Sequence, residues 1–247
     1  MKVDTTVIAL LILAAAFGAS ALFVRGRTSL VLLSAGLFTV LVGLALHVNA
    51  EWLTSLDDSV ERWLDTHRSQ RFRVDADGAF SYIGRPLHVA AAGAVAGTLL
   101  SIRARSAIRG ALVMGGVALG VVVEQTFKAL IGRTPETLAA LHDGSLVRYA
   151  HSFPSGHVTG AATLLGMIAV CIGAGHGRVV KAALAAPVML GVLGVAFLAL
   201  YSRAHIFSDV LGGMFLGGAI VALGAAVLAP STARAGTGSR RPSDSRM

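Results

Sequence analysis

Seven apolar runs, at about 5–24, 29–48, 86–102, 110–131, 157–175, 182–201 and 206–229, constrain this chain more than any other feature. Each is close to the ~20 residues a helix needs to cross the hydrocarbon core of a bilayer. Helices are the form available to them, because lipid cannot satisfy open backbone N–H and C=O groups and nothing alternates as a barrel strand would. Composition agrees: 55% of residues are hydrophobic and 14% charged, with 29 glycines in 247 residues. A soluble globule carries roughly a quarter charged residues. Small residues supply much of the apolar mass, which suits close backbone approach between helices in lipid. The expected fold is all-α, a polytopic membrane helical bundle.

The polar connections fall into two sets. Arg25 and Arg27, then Arg103, Arg105 and Arg109, then Arg178 and Lys181, follow alternate runs, and Arg234, Arg240, Arg241 and Arg246 occupy the tail. Asp244 is the acid among them. The positive-inside rule places these segments in the cytoplasm, with the amino terminus outside and the carboxyl terminus inside. The net charge of +8 is thereby explained by topology, so a nucleic-acid partner is not expected. The first run reads as a spanning helix rather than a cleaved signal, since Lys2 is offset by Asp4 and the arginines come after it. Cys171 lies inside an apolar run and reads as a small buried hydrophobe.

The segment 49–85 falls on the outer side. Within it Trp52, Leu56, Val60, Trp63 and Leu64 recur at three- and four-residue spacings, which predicts an amphipathic helix in the interface with tryptophans at headgroup level. The tail 230–247 is rich in Ser, Arg, Gly and Pro and is expected to be disordered.

Three clusters of ionisable residues sit at ends of the apolar runs, all on the outer side: Glu124, Lys128 and Arg133; "HSFPSGH" over 151–157; and "YSRAHIFSD" over 201–209. Ionisable groups at membrane depth are costly and mark function by default. Pro154 and Ser155 precede an apolar helix whose free N–H groups suit an anion, and Gly156 lets an oxyanion approach the backbone. His157 in the first turn can pass a proton to a leaving oxygen. His205 and Asp209, four apart, share a helix face, so the carboxylate can orient the imidazole and leave its other nitrogen as a nucleophile. Lys128, Arg133 and Arg203 offer cations for phosphate oxygens. Glu124, one turn before Lys128, is expected to neutralise it. His157, His205 and Asp209 lack the clustered spacing of a zinc site.

Together these residues resemble the type 2 phosphatidic acid phosphatase (PAP2) superfamily, whose pattern is Lys-x6-Arg-Pro, Pro-Ser-Gly-His and Ser-Arg-x5-His-x3-Asp. The resemblance implies a six-helix core at 29–229, including the outer segment 49–85, with residues 1–28 as an extra N-terminal transmembrane helix and 230–247 as a basic cytoplasmic tail. It implies metal-independent hydrolysis of a lipid phosphate or diphosphate without a cofactor, at the outer face of what is expected to be a bacterial plasma membrane. His205 would form a phosphohistidine, Asp209 would orient it, and His157 would protonate the leaving group and then activate water. Lys128, Arg133, Ser155, the Gly156 amide and Arg203 would stabilise the phosphoryl oxygens. Substrates implied are polyprenyl diphosphates, phosphatidate and phosphatidylglycerol phosphate.

Two departures from the pattern stand out. Seven positions after Lys128 the chain has Pro135-Glu136 in place of Arg-Pro, and Arg133 lies two positions earlier. Ser202-Arg203 lies one residue before His205, which puts Ala199 where the family arginine belongs. If the helix continues, Arg203 stands one turn further along the same face, and Arg148 is a reserve candidate. A non-catalytic lipid-phosphate binder and a lipid phosphotransferase are the alternative readings. The partners expected are the lipid phosphate and the surrounding membrane lipids.

Overall fold

A computed structural model describes residues 5–83, 86–141 and 149–230. The expected tail, from 231 onward, and Arg148 lie outside the described residues. Those described form helices α1 (Thr5–Phe23), α2 (Arg27–Leu46), α3 (Glu51–His67), α4 (Gln70–Ile83), α5 (Pro86–Ala104), α6 (Ala107–Leu130), α7 (Pro135–Ala139), α8 (Gly156–Gly173), α9 (Arg178–Tyr201) and α10 (Phe207–Leu228). Seven of them, α1, α2, α5, α6, α8, α9 and α10, are long and apolar enough to cross a membrane, one for each apolar run of the sequence.

Helix α10 is the centre of the bundle and packs on α2, α8 and α6, while α8 also meets α5, α6 and α9. Glycine makes this possible. A Cβ added at Gly213 would lie 2.7 Å from the Ser155 carbonyl oxygen, and one at Gly217 would lie 2.5 Å from Ala162 Cβ. Two helices can come this close only where one presents no side chain. Around the contact, Leu41, Val113, Phe153, Met167, Leu216 and Ile220 form one apolar core, and Phe80, Val158, Val192, Ala196 and Val210 form another. Helix α1 stands at the periphery against α2, and none of its residues is buried.

The connection between α2 and α5 holds two helices rather than one. Arg68 is extended at the break, and the Ser69 hydroxyl accepts from Phe72 N–H at 3.2 Å to start α4. Helix α3 is amphipathic as its spacing predicts, and the structure adds which face meets the bundle. The residues it buries are Leu53, Thr54, Asp57, Glu61 and Leu64, whereas Trp63 and Leu56 are exposed. The face that meets the bundle therefore carries two carboxylates. Helix α4 lies on α9, with the Phe72 ring edge-on to Tyr201 at 4.9 Å.

The basic residues Arg25, Arg27, Arg103, Arg105, Arg178 and Lys181 sit at the α1–α2, α5–α6 and α8–α9 turns. The α2–α5 connection, the end of α6, the start of α8 and the α9–α10 junction occupy the opposite end, and the ionisable clusters gather there.

Candidate active site

Asp209 is the third residue of α10, so its carboxylate folds back over the helix start, where Ile206 N–H donates to Oδ2 at 3.4 Å. Carboxylates are favoured there by the exposed N–H groups and the helix dipole. The same Oδ2 lies 3.3 Å from His205 Nδ1 and accepts from the Ser152 hydroxyl at 2.6 Å. With Nδ1 engaged, Nε2 is the nitrogen His205 has left for chemistry.

Arg133 follows α6 and runs inward. Its two Nη atoms make four hydrogen bonds, to the Tyr149 carbonyl, Ser152 Oγ, Ser208 Oγ and Asp209 Oδ1. The closest, to Asp209, is 2.6 Å, and the arginine side chain is 2% exposed. As a sequence, "KALIGRTPE" suggested a cation for phosphate; in the structure both Nη atoms of Arg133 are engaged by protein acceptors, Asp209 among them.

Pro154-Ser155 leads into α8. Ser155 is fully buried, and its hydroxyl accepts from Val158 N–H at 3.5 Å as the helix cap. Its own N–H donates to the Asp209 carbonyl at 2.9 Å, which ties the start of α8 to the start of α10. This bond brings the two histidines together: the rings of His157 and His205 have centroids 6.3 Å apart. Phe80 of α4 stacks on His157 at 4.0 Å and stands edge-on to His205 at 6.2 Å, fixing both rings against one apolar surface.

Two cavities meet at His157. One, of about 210 Å³, is lined by Glu124, Gln125, Lys128, Gly156 and Thr159 among others. Lys128 is paired with Glu124, as its position one turn away predicts. The Glu124 carboxylate also rests against Gly156, where a Cβ would come within 2.6 Å of Oε1. Glycine at 156 thus makes room for a carboxylate of the chain itself. The second cavity, of about 610 Å³, runs between α5, α8 and α9 and is almost wholly apolar, lined by residues such as Val89, Leu164, Leu165, Val195 and Leu198.

Arg203 does not extend the face of Ala199. Helix α9 stops at Tyr201, and Arg203 adopts φ 58°, a left-handed conformation uncommon for a side chain of its size. The chain turns there, and Arg203 points to α3, with Nη2 2.6 Å from Asp65 Oδ1 and Nε 3.1 Å from Glu61 Oε1. Ala199 itself is fully buried. The condition for Arg203 to share that face, a helix continuing through it, is not met because α9 ends at Tyr201.

Four residues that sequence reasoning passed over complete the site: Asp57, Ser208, Ser152 and Phe80. Asp57 accepts from Ser208 N–H at 2.7 Å and from Ser208 Oγ at 2.8 Å, and is 2% exposed. Burial pushes its carboxyl up to about 6, against the lowering effect of the Ser208 hydrogen bonds and Arg133. Burial likewise raises Glu61. Ser152 and Ser208 lie inside the motif segments, so their place in the sequence was a signal. Asp57 had none, since an acid on an amphipathic helix ordinarily faces water.

The family model of the PAP2 superfamily matches residues 109–232. Among solved structures, the crystal structure of a transmembrane PAP2 type phosphatidylglycerolphosphate phosphatase from Bacillus subtilis is similar, with 20% identity and a TM-score of 0.63. The match covers 77% of this chain and 93% of that one, and at this identity it speaks to the fold. No functionally curated protein matches.

Proposed function

The chain belongs to the PAP2 superfamily, a family of phosphatases, and on that premise we propose that it hydrolyses a lipid phosphate through a histidine nucleophile. The observation that carries this reading is the pair of imidazoles, 6.3 Å apart, one of them held by a buried carboxylate. Attack requires about 3–3.5 Å between nucleophile and phosphorus. Proton transfer to the leaving oxygen requires about 2.6–3.2 Å on the other side. Two rings at this separation are spaced to hold a phosphoryl group between them.

His205 Nε2 attacks phosphorus, forming an N–P bond as the P–O bond to the lipid breaks, and His157 gives its proton to the departing lipid oxygen. His157 then takes a proton from water as the new O–P bond forms and the N–P bond breaks, releasing inorganic phosphate. Asp209 holds His205 in the required tautomer and balances the positive charge it gains. Lys128 supplies charge to the phosphoryl oxygens from the small cavity. Arg133 serves the reaction through Asp209, and Ser155 through the start of α8.

The apolar cavity at His157 supports a lipid substrate, with its chains between α5, α8 and α9. The basic turns at the other end, cytoplasmic by the positive-inside rule, support a site at the extracytoplasmic face. Phosphatidylglycerol phosphate is the first substrate to assay, since the Bacillus subtilis neighbour is described as acting on it. Phosphate release from this lipid, phosphatidate and a polyprenyl diphosphate is to be measured with chelator present. The reading predicts turnover of at least one and its loss in His205→Ala; turnover of none, or undiminished turnover in that variant, would refute it.

A further inference from the structure

We infer that Asp57, on the outer helix α3, is a positioning residue for the His205–Asp209 pair, acting through Ser208 and Arg133. This rests on the proposed role of His205.

The hydrogen bonds have a direction that makes the link specific. When ionised, Asp57 can only accept, and both oxygens are used by one residue: Oδ1 by Ser208 N–H and Oδ2 by Ser208 Oγ. The hydroxyl proton is thereby committed to Asp57, and a lone pair of Ser208 Oγ faces Arg133 Nη2 at 3.1 Å. The same Nη2 donates to Asp209 Oδ1, while Asp209 Oδ2 meets His205. Ser208 and Asp209 are neighbours in the first turn of α10, so Asp57 also fixes the backbone that carries the carboxylate. One guanidinium thus stands between two buried carboxylates, and its position depends on both.

The arrangement is costly as mere support. A buried ion pair rarely exceeds a well-packed apolar contact in stability, and Asp57 adds a second buried acid to one that already has its cation. Apolar residues would anchor α3 at less expense, as Leu53 and Leu64 already do. What Asp57 adds is orientation: it sets which way the Ser208 hydroxyl points, and so where the arginine can place Asp209.

Asp57→Asn keeps the shape and the acceptor for Ser208 N–H but turns an N–H donor toward a hydroxyl that already accepts from Arg133. Ser208→Ala removes the same link from the other side. Two readouts on purified protein in detergent test the inference. In 15N-histidine NMR spectra, with the His205 signal identified by its loss in His205→Asn, both variants should move that signal in the same direction. In phosphate release, both should lower kcat five- to fiftyfold with KM within twofold of wild type, and the double variant should lose no more than the worse single one. A His205 signal at its wild-type position, or a fall in activity without the shift, would overturn the inference and leave Asp57 a structural residue. A wild type with no activity would count against the hydrolase reading, and the NMR comparison would still decide the positioning.

Discussion

Arg133 and Asp209 form an ion pair at 2.6 Å with both side chains almost fully withdrawn from solvent, 76 residues apart in sequence. The pair joins the end of α6 to the start of α10, and Asp209 also meets His205. It makes the arginine a partner of the Asp209 carboxylate, with its fork already occupied by protein acceptors.

Removal of Arg133 should therefore act on stability and on turnover rather than on substrate affinity. Arg133→Ala leaves Asp209 buried without its cation and should destabilise the fold by about 3–5 kcal/mol. Arg133→Lys keeps the charge but cannot serve four acceptors at once, and should lower kcat about tenfold or more with KM near wild type. Thermal unfolding in detergent and steady-state kinetics check both. A raised KM with unchanged kcat would mean that the arginine binds phosphate after all.

Lys128 should behave in the opposite way. Its ammonium lines the small cavity beside His157, so Lys128→Ala removes a charged contact worth about 1.5–3 kcal/mol, roughly a 10- to 150-fold loss in kcat/KM. Glu124→Gln removes the competing carboxylate and should lower KM. Kinetics with one lipid phosphate at constant ionic strength checks the pair of effects.

The pH dependence of stability should carry the mark of Asp57. With its carboxyl at about 6 in the fold and near 3.8 when unfolded, the folded state retains a proton that the unfolded chain releases. Its contribution is whole below about pH 4 and is lost as pH rises through about 6, a swing of up to about 3 kcal/mol. Asp57→Asn lacks this slope. Its melting temperature relative to wild type should rise between pH 4 and pH 7, and a constant difference would contradict the burial argument.

Close packing of α8 on α10 gives a local test. Gly217→Ala would set a Cβ 2.5 Å from Ala162 Cβ and 3.2 Å from the Thr159 carbonyl oxygen, atoms that cannot move without their helix. It should cost about 1–3 kcal/mol. Gly218→Ala meets only Leu37 Cδ1, at 3.3 Å, the end of a flexible side chain, and should be nearly neutral. Unfolding midpoints of the two variants in one detergent decide this.

The spanning helices were legible because lipid leaves an apolar run of that length one regular option. That His157, His205 and Asp209 lie together was legible because ionisable groups at the ends of such runs need a reason. The direction of Arg203 was not legible because a helix end is set by local backbone: α9 stops two residues earlier, and φ 58° swings the side chain to α3. Arg133 could be found as an important cation, but whether a cation serves substrate or carboxylate depends on contacts between residues distant in sequence. Asp57 was hidden for a different reason. Spacing shows that α3 is amphipathic, yet with apolar residues wanted by both lipid and bundle it does not show which face turns inward.

Trapping the covalent intermediate tests the central claim most directly. Protein is mixed with a lipid phosphate labelled in its phosphoryl group, quenched in alkali within a turnover, and examined for protein-bound phosphate at His205. Wild type should show it transiently, and His205→Asn should show none. Steady phosphate release by wild type with no alkali-stable phosphate on the protein, or label that persists in His205→Asn, would contradict the account.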